Sequence, residues 1–314
     1  IINNTSNITV GDSSSGIYGL NNTEINNTGS ITTGGASTAI YYSDVEKDSA
    51  GNITAINNTA TGLRNDGTIT LNGDDSVALI YEPGNITGSV TFENVGNISS
   101  TRDKNVGMFS KLSKNNASYI TKNTGNITLG NADSLSNPTV GMYTNATSTG
   151  TNPLINTGNI TVGNEGLGIY KKNGNLNITG NIVTGNDAVG VYGDNNVIIN
   201  NSGNITVGDR SFGFAILDNG VNNFTGTSTS TANIGSKSVY VYKAGPLGTV
   251  TSETSIFSSG FNSTAFYAVD NAVINNNGVV DFGNSVGSAG AFASNNGIVY
   301  NLSLIHISEP TRPY

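Results

Sequence analysis

An internal repeat constrains this chain more than any other feature. Asn159-Ile160-Thr161-Val162-Gly163 is followed by Gly168-Ile169-Tyr170. Asn181-Ile182-Val183-Thr184-Gly185 is followed by Gly190-Val191-Tyr192, and Asn204-Ile205-Thr206-Val207-Gly208 by Gly213-Phe214-Ala215. The central isoleucines, Ile160, Ile182 and Ile205, recur at a near-constant interval, and Gly168, Gly190 and Gly213 follow them at one fixed distance. The same unit opens the chain around Ile8 and Ile31, at the same interval. A fixed period of this size, about 22–23 residues, means small units that stack on one another.

Elsewhere the period is interrupted. An insertion at 43–61 carries the charge cluster Asp44, Glu46, Lys47 and Asp48. The pattern resumes at Ile69, Ile98 and Ile127, and a stretched spacing after Ile127 implies a loop around 131–138. Beyond Asn219 only echoes remain, among them Val239–Tyr242, Ala265–Tyr267 and the run from Asn277 to Gly283. Between Ile205 and Val279 there is room for three further units.

Within a unit, Ile205 and Val207 alternate with Thr206, a period of two that marks a strand with one buried face. Asn-Gly, Ser-Gly, Thr-Gly and Gly-Asp steps punctuate the strands, since Gly and Asn tolerate turn geometry. No helical period is present. Each unit supplies three short strands, as around 197–200, 204–207 and 212–216, and cannot bury its apolar face alone. Stacking the next unit about 4.8 Å along the axis aligns identical side chains. The fold expected is all-β: a right-handed, three-sided parallel β-helix with about 22–23 residues per coil, running as one array over 1–301. Ile160, Ile182 and Ile205 form one interior ladder, Val162 and Val207 another, and Asn159, Asn181 and Asn204 stack at a corner. A β-propeller, whose blades need about 40 residues, fits the period less well.

Composition matters mainly for what it excludes. With 50 Asn and 41 Gly, disorder is the alternative to weigh, but the apolar residues sit in short alternating runs. The net charge of −8 argues against nucleic acid as a partner. The chain has no cysteine, which removes disulfides and thiolate chemistry. No run approaches the ~18 apolar residues of a membrane helix. The chain begins at Ile1 in mid-repeat, as an internal fragment does. Residues 302–314 leave the repeat and hold the only histidine, His306. Leu302 to Arg312 resembles the translation of a transposon-derived sequencing adapter, so 302–314 is set apart as a non-native tail.

The motif Ile-Asn-Asn-Thr-Gly-Asn-Ile-Thr-Val-Gly, followed by Gly-Ile-Tyr, resembles the passenger domains of autotransporters (type V secretion), closest in style to Asn/Gly-rich adhesin passengers of the fusobacterial type. The resemblance spans residues 1–301. It implies export through the periplasm, an outer-membrane barrel outside this chain, display at the cell surface, a part in virulence, and a host-cell or bacterial surface receptor or glycan as partner.

Few residues invite a chemical reading. Gly11-Asp12-Ser13-Ser14-Ser15-Gly16 superficially resembles a serine-protease nucleophile loop, but it occupies the same turn as 208–213 and has no natural histidine as base. The acids Asp74, Asp75, Asp187, Asp194 and Asp209 (with Arg210) are the carboxylates to test for glycan hydrolysis or lysis. Asp187 and Asp209 recur near one corner, as a repeated turn does. Asn7, Asn126, Asn159 and Asn204 head Asn-x-Thr triplets but fall in the repeat itself. Tyr18, Tyr41, Tyr170 and Tyr192, with Phe109 and Tyr143, form a stripe expected to face outward, with Ile169 rather than Tyr170 inside. Such rings can stack on sugars or enter a receptor. The expected protein has no catalytic, cofactor-binding or metal-binding residue, and acts as adhesin or stalk. A carbohydrate-active β-helix enzyme is the alternative.

Overall fold

The Ile-x-Val triplets pair with one another. In the computed structural model they form a 12-stranded parallel sheet that starts at Ile8–Val10 and ends at Ile305–His306. The structure describes residues 1–21, 23–50, 53–56, 62–84, 89–112, 118–134, 137–146, 152–303 and 305–306. Two further faces, starting at Ile2–Asn4 and Ser15–Leu20, join into a 21-stranded sheet. They join because strands such as Leu167–Ile178 and Val189–Asn201 run over the bend between them. The chain is therefore a parallel β-solenoid of about 11 turns, with no helix among the described residues. At about 4.8 Å per turn the rod is roughly 50 Å long.

The interior ladders are those the alternation predicts. Ile160, Ile182 and Ile205 are successive in-register partners, and all three are buried. Val162 and Val207 flank Thr184 in the neighbouring ladder. The period is less uniform than expected. The pairs Ile8–Ile31, Ile160–Ile182 and Ile182–Ile205 keep the expected spacing. Ile31–Ile69 and Ile127–Ile160 are much wider, because the first coil holds the 43–61 insertion and the second the 131–138 loop. Extra residues leave the register intact because they are extruded between strands, where closing a longer loop adds little entropy cost. The described part of the 43–61 insertion holds an antiparallel pair, Val45–Lys47 with Ile53–Ile56. Residues 51–52 and 57–61 of the insertion, and 135–136 of the loop, lie outside the described residues.

Two features mark the end of the array. Ile256 pairs with Val280, which is buried, whereas Val279 is 40% exposed. The unit count that ends on Val279 is thus one position short, and one position inverts the faces of a strand. Farther along, Ile305–His306 pairs in register with Val280–Asp281, and Ile305 packs on the core. The stacking thus continues past 301 into the segment set apart by sequence. Residues 304 and 307–314 lie outside the described residues.

The main corner is built by Asn-x-Gly. The Nδ2 group of Asn27 donates to the Gly29 carbonyl at 3.1 Å and to Asn65 Oδ1, one coil on, at 2.6 Å. Asn65, Asn94 and Asn123 repeat both bonds, the last reaching Asn156 at 2.9 Å. These amides are buried, so each bond satisfies a group that water cannot reach. The glycine is required by proximity: a Cβ on Gly125 would collide with the Gly96 carbonyl oxygen. The corner assigned from sequence, three positions later, is a second and exposed amide ladder. There Asn126 donates to Asn97, Asn159 to Asn126 and Asn181 to Asn159 at 3.0–3.1 Å, while Asn204 accepts from Thr231 instead.

The first break in the buried ladder has a visible reason. Ile178 occupies the rung between Asn156 and Asn201. Asn201 Oδ1, which a preceding amide would have donated to, is left without a partner. Thr184 Oγ1, enclosed between Val162 and Val207, is also unpaired. Replacing that hydroxyl by a methyl in Thr184→Val is expected to stabilise the protein by about 1 kcal/mol, because an unsatisfied polar group leaves the core. Asn94→Ala is expected to cost about 2–3 kcal/mol by orphaning groups on both neighbouring rungs, whereas Asn126→Ala, at the exposed ladder, costs under about 1 kcal/mol. Urea denaturation midpoints of the three variants check both statements.

Candidate functional site: an aromatic ridge and a groove

The tyrosine stripe faces outward, and Ile169 faces in, as expected. One column runs Tyr18, Tyr41, Ile80, Phe109, Tyr143, Tyr170, Tyr192, Ala215, Tyr242, Tyr267 and Phe292 through successive in-register pairs. Strand spacing forces its geometry. Rings on adjacent rungs in a common rotamer meet face to face, with centroids 5.0 Å apart for Phe109 and Tyr143 and 4.6 Å for Tyr143 and Tyr170. Tyr170–Tyr192 and Tyr18–Tyr41 stack likewise at 5.5 and 5.1 Å. Beyond Ala215 the contacts turn edge-on, as for Tyr242 and Tyr267 at 5.4 Å.

This stacking changes what the ridge offers. Within the stacked runs each ring covers the face of the next, so there solvent meets edges and hydroxyls. A sugar cannot lie flat on the interior of the ridge. Some of the hydroxyls are engaged too: Tyr41 donates to Glu82 Oε2 at 2.7 Å and Tyr170 to Asp194 Oδ2 at 2.6 Å. Partial burial, and then the adjacent carboxylate, holds both phenols far above their ordinary pKa. The ridge is therefore half-buried structure over most of its length, with Tyr18 its most open member at 55% exposure.

The carboxylates singled out by sequence are dispersed along turns, and each has a scaffold role. Asp209 Oδ1 accepts from the Ser236 N–H at 2.7 Å, and Asp74 Oδ1 from the Asp103 N–H at 3.1 Å. Asp187 forms a two-point pair with Arg210, which holds its carboxyl below the usual range. Asp187 and Asp209 are not equivalent positions: Asp209 continues the bridging role of Asn186, whose Oδ1 accepts from the Asp209 N–H at 2.8 Å. Asp75 lies 3.9 Å from Lys104, whose main partner is Asp133 at 2.9 Å. Asp194 takes the Tyr170 and Asn219 donors and has Lys172 at 3.7 Å. The 11–16 segment is a turn: Asp12 Oδ1 accepts from the Gly35 N–H at 2.7 Å, and Ser14 Oγ donates to the Asp12 carbonyl. Asn7, Asn126, Asn159 and Asn204 are all exposed on one face. Among the described residues no three of His, Cys, Asp and Glu converge as a metal site.

Three fully buried charged residues, Asp44, Lys171 and Lys243, carry no plain mark in the sequence. Asp44, part of the charge cluster in the 43–61 insertion, is buried and accepts from the Tyr42 hydroxyl at 2.7 Å and the Gly84 N–H at 3.2 Å. Lys171, next to Tyr170, points inward and is fully buried; its Nζ donates to the Asn152 carbonyl at 2.9 Å. Strand alternation, applied strictly to the position after Tyr170, is the signal that finds it.

Sequence reasoning also misses a groove of about 480 Å³ on the 12-stranded face. Thr206, Asn233, Phe257 and Asp281 line it from four successive coils of one outward column. In earlier coils that column is almost wholly threonine or serine: Thr9, Thr32, Thr70, Ser99, Thr128 and Thr161. Small residues Gly235, Ser259 and Gly283 line the groove beside it.

No family model matches the chain, and comparison with curated proteins and with solved structures finds no match either. The class that the geometry defines is a repeat-built parallel β-solenoid.

Lys171 makes this scaffold pH-sensitive. Burial lowers its pKa from 10.5 to about 7. Between those values the unfolded chain holds a proton that the folded chain lacks, so stability rises with pH across the window and the full penalty applies below it. Lys171→Met is expected to stabilise the protein by several kcal/mol at pH 6, with the gain shrinking toward pH 10. Urea denaturation at the two pH values measures the difference.

Proposed function

We propose that this chain is a segment of a non-enzymatic autotransporter passenger, exported through the periplasm and displayed at the outer membrane by a barrel. It acts as an adhesin toward a host-cell or bacterial surface, or as the stiff stalk beneath one. The observation that carries this reading is the unbroken in-register stacking of strands along one axis. A rod locked by backbone ladders, amide ladders and ring stacks holds its surface at a distance without a separate core. The resemblance of the repeat to such passengers supports the export route. The scaffold role of each candidate carboxylate supports a non-enzymatic reading over a carbohydrate-active one.

The chain fused to an outer-membrane barrel translocator and expressed in a non-adherent bacterium tests this. Surface labelling of the rod is expected, together with adhesion to epithelial cells or partner bacteria about tenfold above the barrel alone. Surface labelling without adhesion selects the stalk. Failure to reach the surface overturns the passenger reading. Release of reducing ends from polysaccharide, lost on mutation of Asp74, Asp187 or Asp209, replaces it with the enzyme.

A further inference from the structure

We infer that the groove over Thr206, Asn233, Phe257 and Asp281 is a binding site for a neutral oligosaccharide running along the solenoid axis. The proposal rests on the adhesin reading for its biological setting, but it stands on geometry of its own.

Phe257 is the centre of the site. It is 38% exposed on the outward face of its strand, and among the described rings it has no ring partner. In the aromatic ridge every stacked ring lends its face to a neighbour. Phe257 has no ring to stack on because the adjacent rungs are Asn233 and Asp281, not aromatics. A solvent-exposed, unstacked aromatic side chain with planar polar side chains on both sides suits a pyranose: C–H groups of the sugar pack against the ring while its hydroxyls meet the flanking groups.

Those flanking groups are set for the task. Asn233 and Thr206 are exposed, and their side chains make no hydrogen bond within the described protein. They offer two amide donors, an amide acceptor and a hydroxyl. Asp281 Oδ1 accepts from the Gly283 N–H at 2.9 Å, which fixes the carboxylate plane beside the ring. Below them, Val207 and Ile234 are buried, and Ser258 Oγ is tied to the Ile234 carbonyl at 2.8 Å, so the floor is rigid. The four side chains are spaced by one rung each, about 14 Å in all at roughly 4.8 Å per rung. A chain of two or three sugars spans that length, with one ring on Phe257 and its neighbours at Asn233 and Asp281. The cavity of about 480 Å³ is of a size for such a ligand. The net charge of −8 selects against acidic sugars.

The test uses the purified chain and saturation-transfer NMR with four neutral trisaccharides: cellotriose, maltotriose, a β-linked galactotriose and N,N′,N″-triacetylchitotriose. Trigalacturonate is the acidic control. At least one neutral trimer is expected to bind at millimolar affinity or tighter. Phe257→Ala and Asp281→Asn are each expected to weaken it at least tenfold, and Tyr18→Ala, on the aromatic ridge, is expected to leave it unchanged. Phe257→Tyr keeps the ring and is expected to bind as the parent does, which separates ring loss from misfolding. Silence of all four trimers, equal binding of trigalacturonate, or binding that survives Phe257→Ala overturns the proposal. Trimer binding without cell adhesion sinks the adhesin reading and leaves the groove standing; adhesion without trimer binding does the reverse.

Discussion

In-register stacking at strand spacing is the constraint on which the whole molecule depends. Once coils stack at about 4.8 Å, every position becomes a column, and a column tolerates only side chains that can neighbour their own kind. Isoleucine does so by packing, tyrosine by ring stacking and asparagine by amide-to-amide bonding. The Asn-x-Gly corner shows all the requirements at once. The amide must reach both the glycine carbonyl of its own coil and the amide of the next, as Asn94 does at 3.0 and 2.9 Å. The glycine must lack a Cβ because the turn before it is already in contact. Low charge follows from the same rule, since a column of like charges repels. In one column that does carry charges, Arg64, Glu93 and Lys122 alternate in sign.

The rod divides where that corner fails. From Asn4 to Asn156 the amide ladder is continuous, and the ridge rings after Ile80 lie face to face. After Ile178 the rungs become Asn201, Gly226 and Ser252 before asparagine returns at Asn276 and Asn301. Over the same coils the interior fills with aromatics. Phe214 lies 4.5 Å from Phe224 and 5.6 Å from Tyr240, which in turn lies 6.0 Å from Phe266. Large rings crossing edge-on hold these coils where amides no longer do. The loss of strict repetition in the sequence after Asn219 thus reflects a change of packing chemistry and not a loss of the solenoid.

The fold is legible in the sequence because it is periodic, and where the reading fails it fails in phase. Ile160, Ile182 and Ile205 fall in place since three clean copies share one spacing. Val279 stands in for Val280 because two valines adjoin there; the Asn276-x-Gly278 corner, two positions before Val280 as Gly125 is before Ile127, is the mark that fixes the register. The exposed amide ladder is easily confused with the buried one three positions away, because Asn-x-Gly and Asn-Ile-Thr stand side by side in two of the three clean units, at 156–161 and 201–206. Only burial distinguishes them. Lys171 and Asp44 stay hidden because an interior polar position depends on a partner distant in sequence. For Lys171 that partner is Asn152, 19 positions away, and for Asp44 it is Gly84, 40 positions away.

The same logic explains why a uniform column offers little to a ligand. A column in which each residue satisfies its neighbour has no valence left for a ligand. The stacked tyrosines illustrate this: they are exposed enough to look functional, yet their faces are spent on each other. A binding group needs a neighbour unlike itself, and that arises only where a column changes identity. Asn233, Phe257 and Asp281 are such a place, three consecutive rungs of a column that elsewhere is nearly all threonine and serine. The phenyl ring has no ring beside it, the amide has no amide beside it, and the cleft between them is open to solvent. In a solenoid, then, recognition is carried by the interruptions, and the regular coils hold those interruptions at a fixed spacing along the rod.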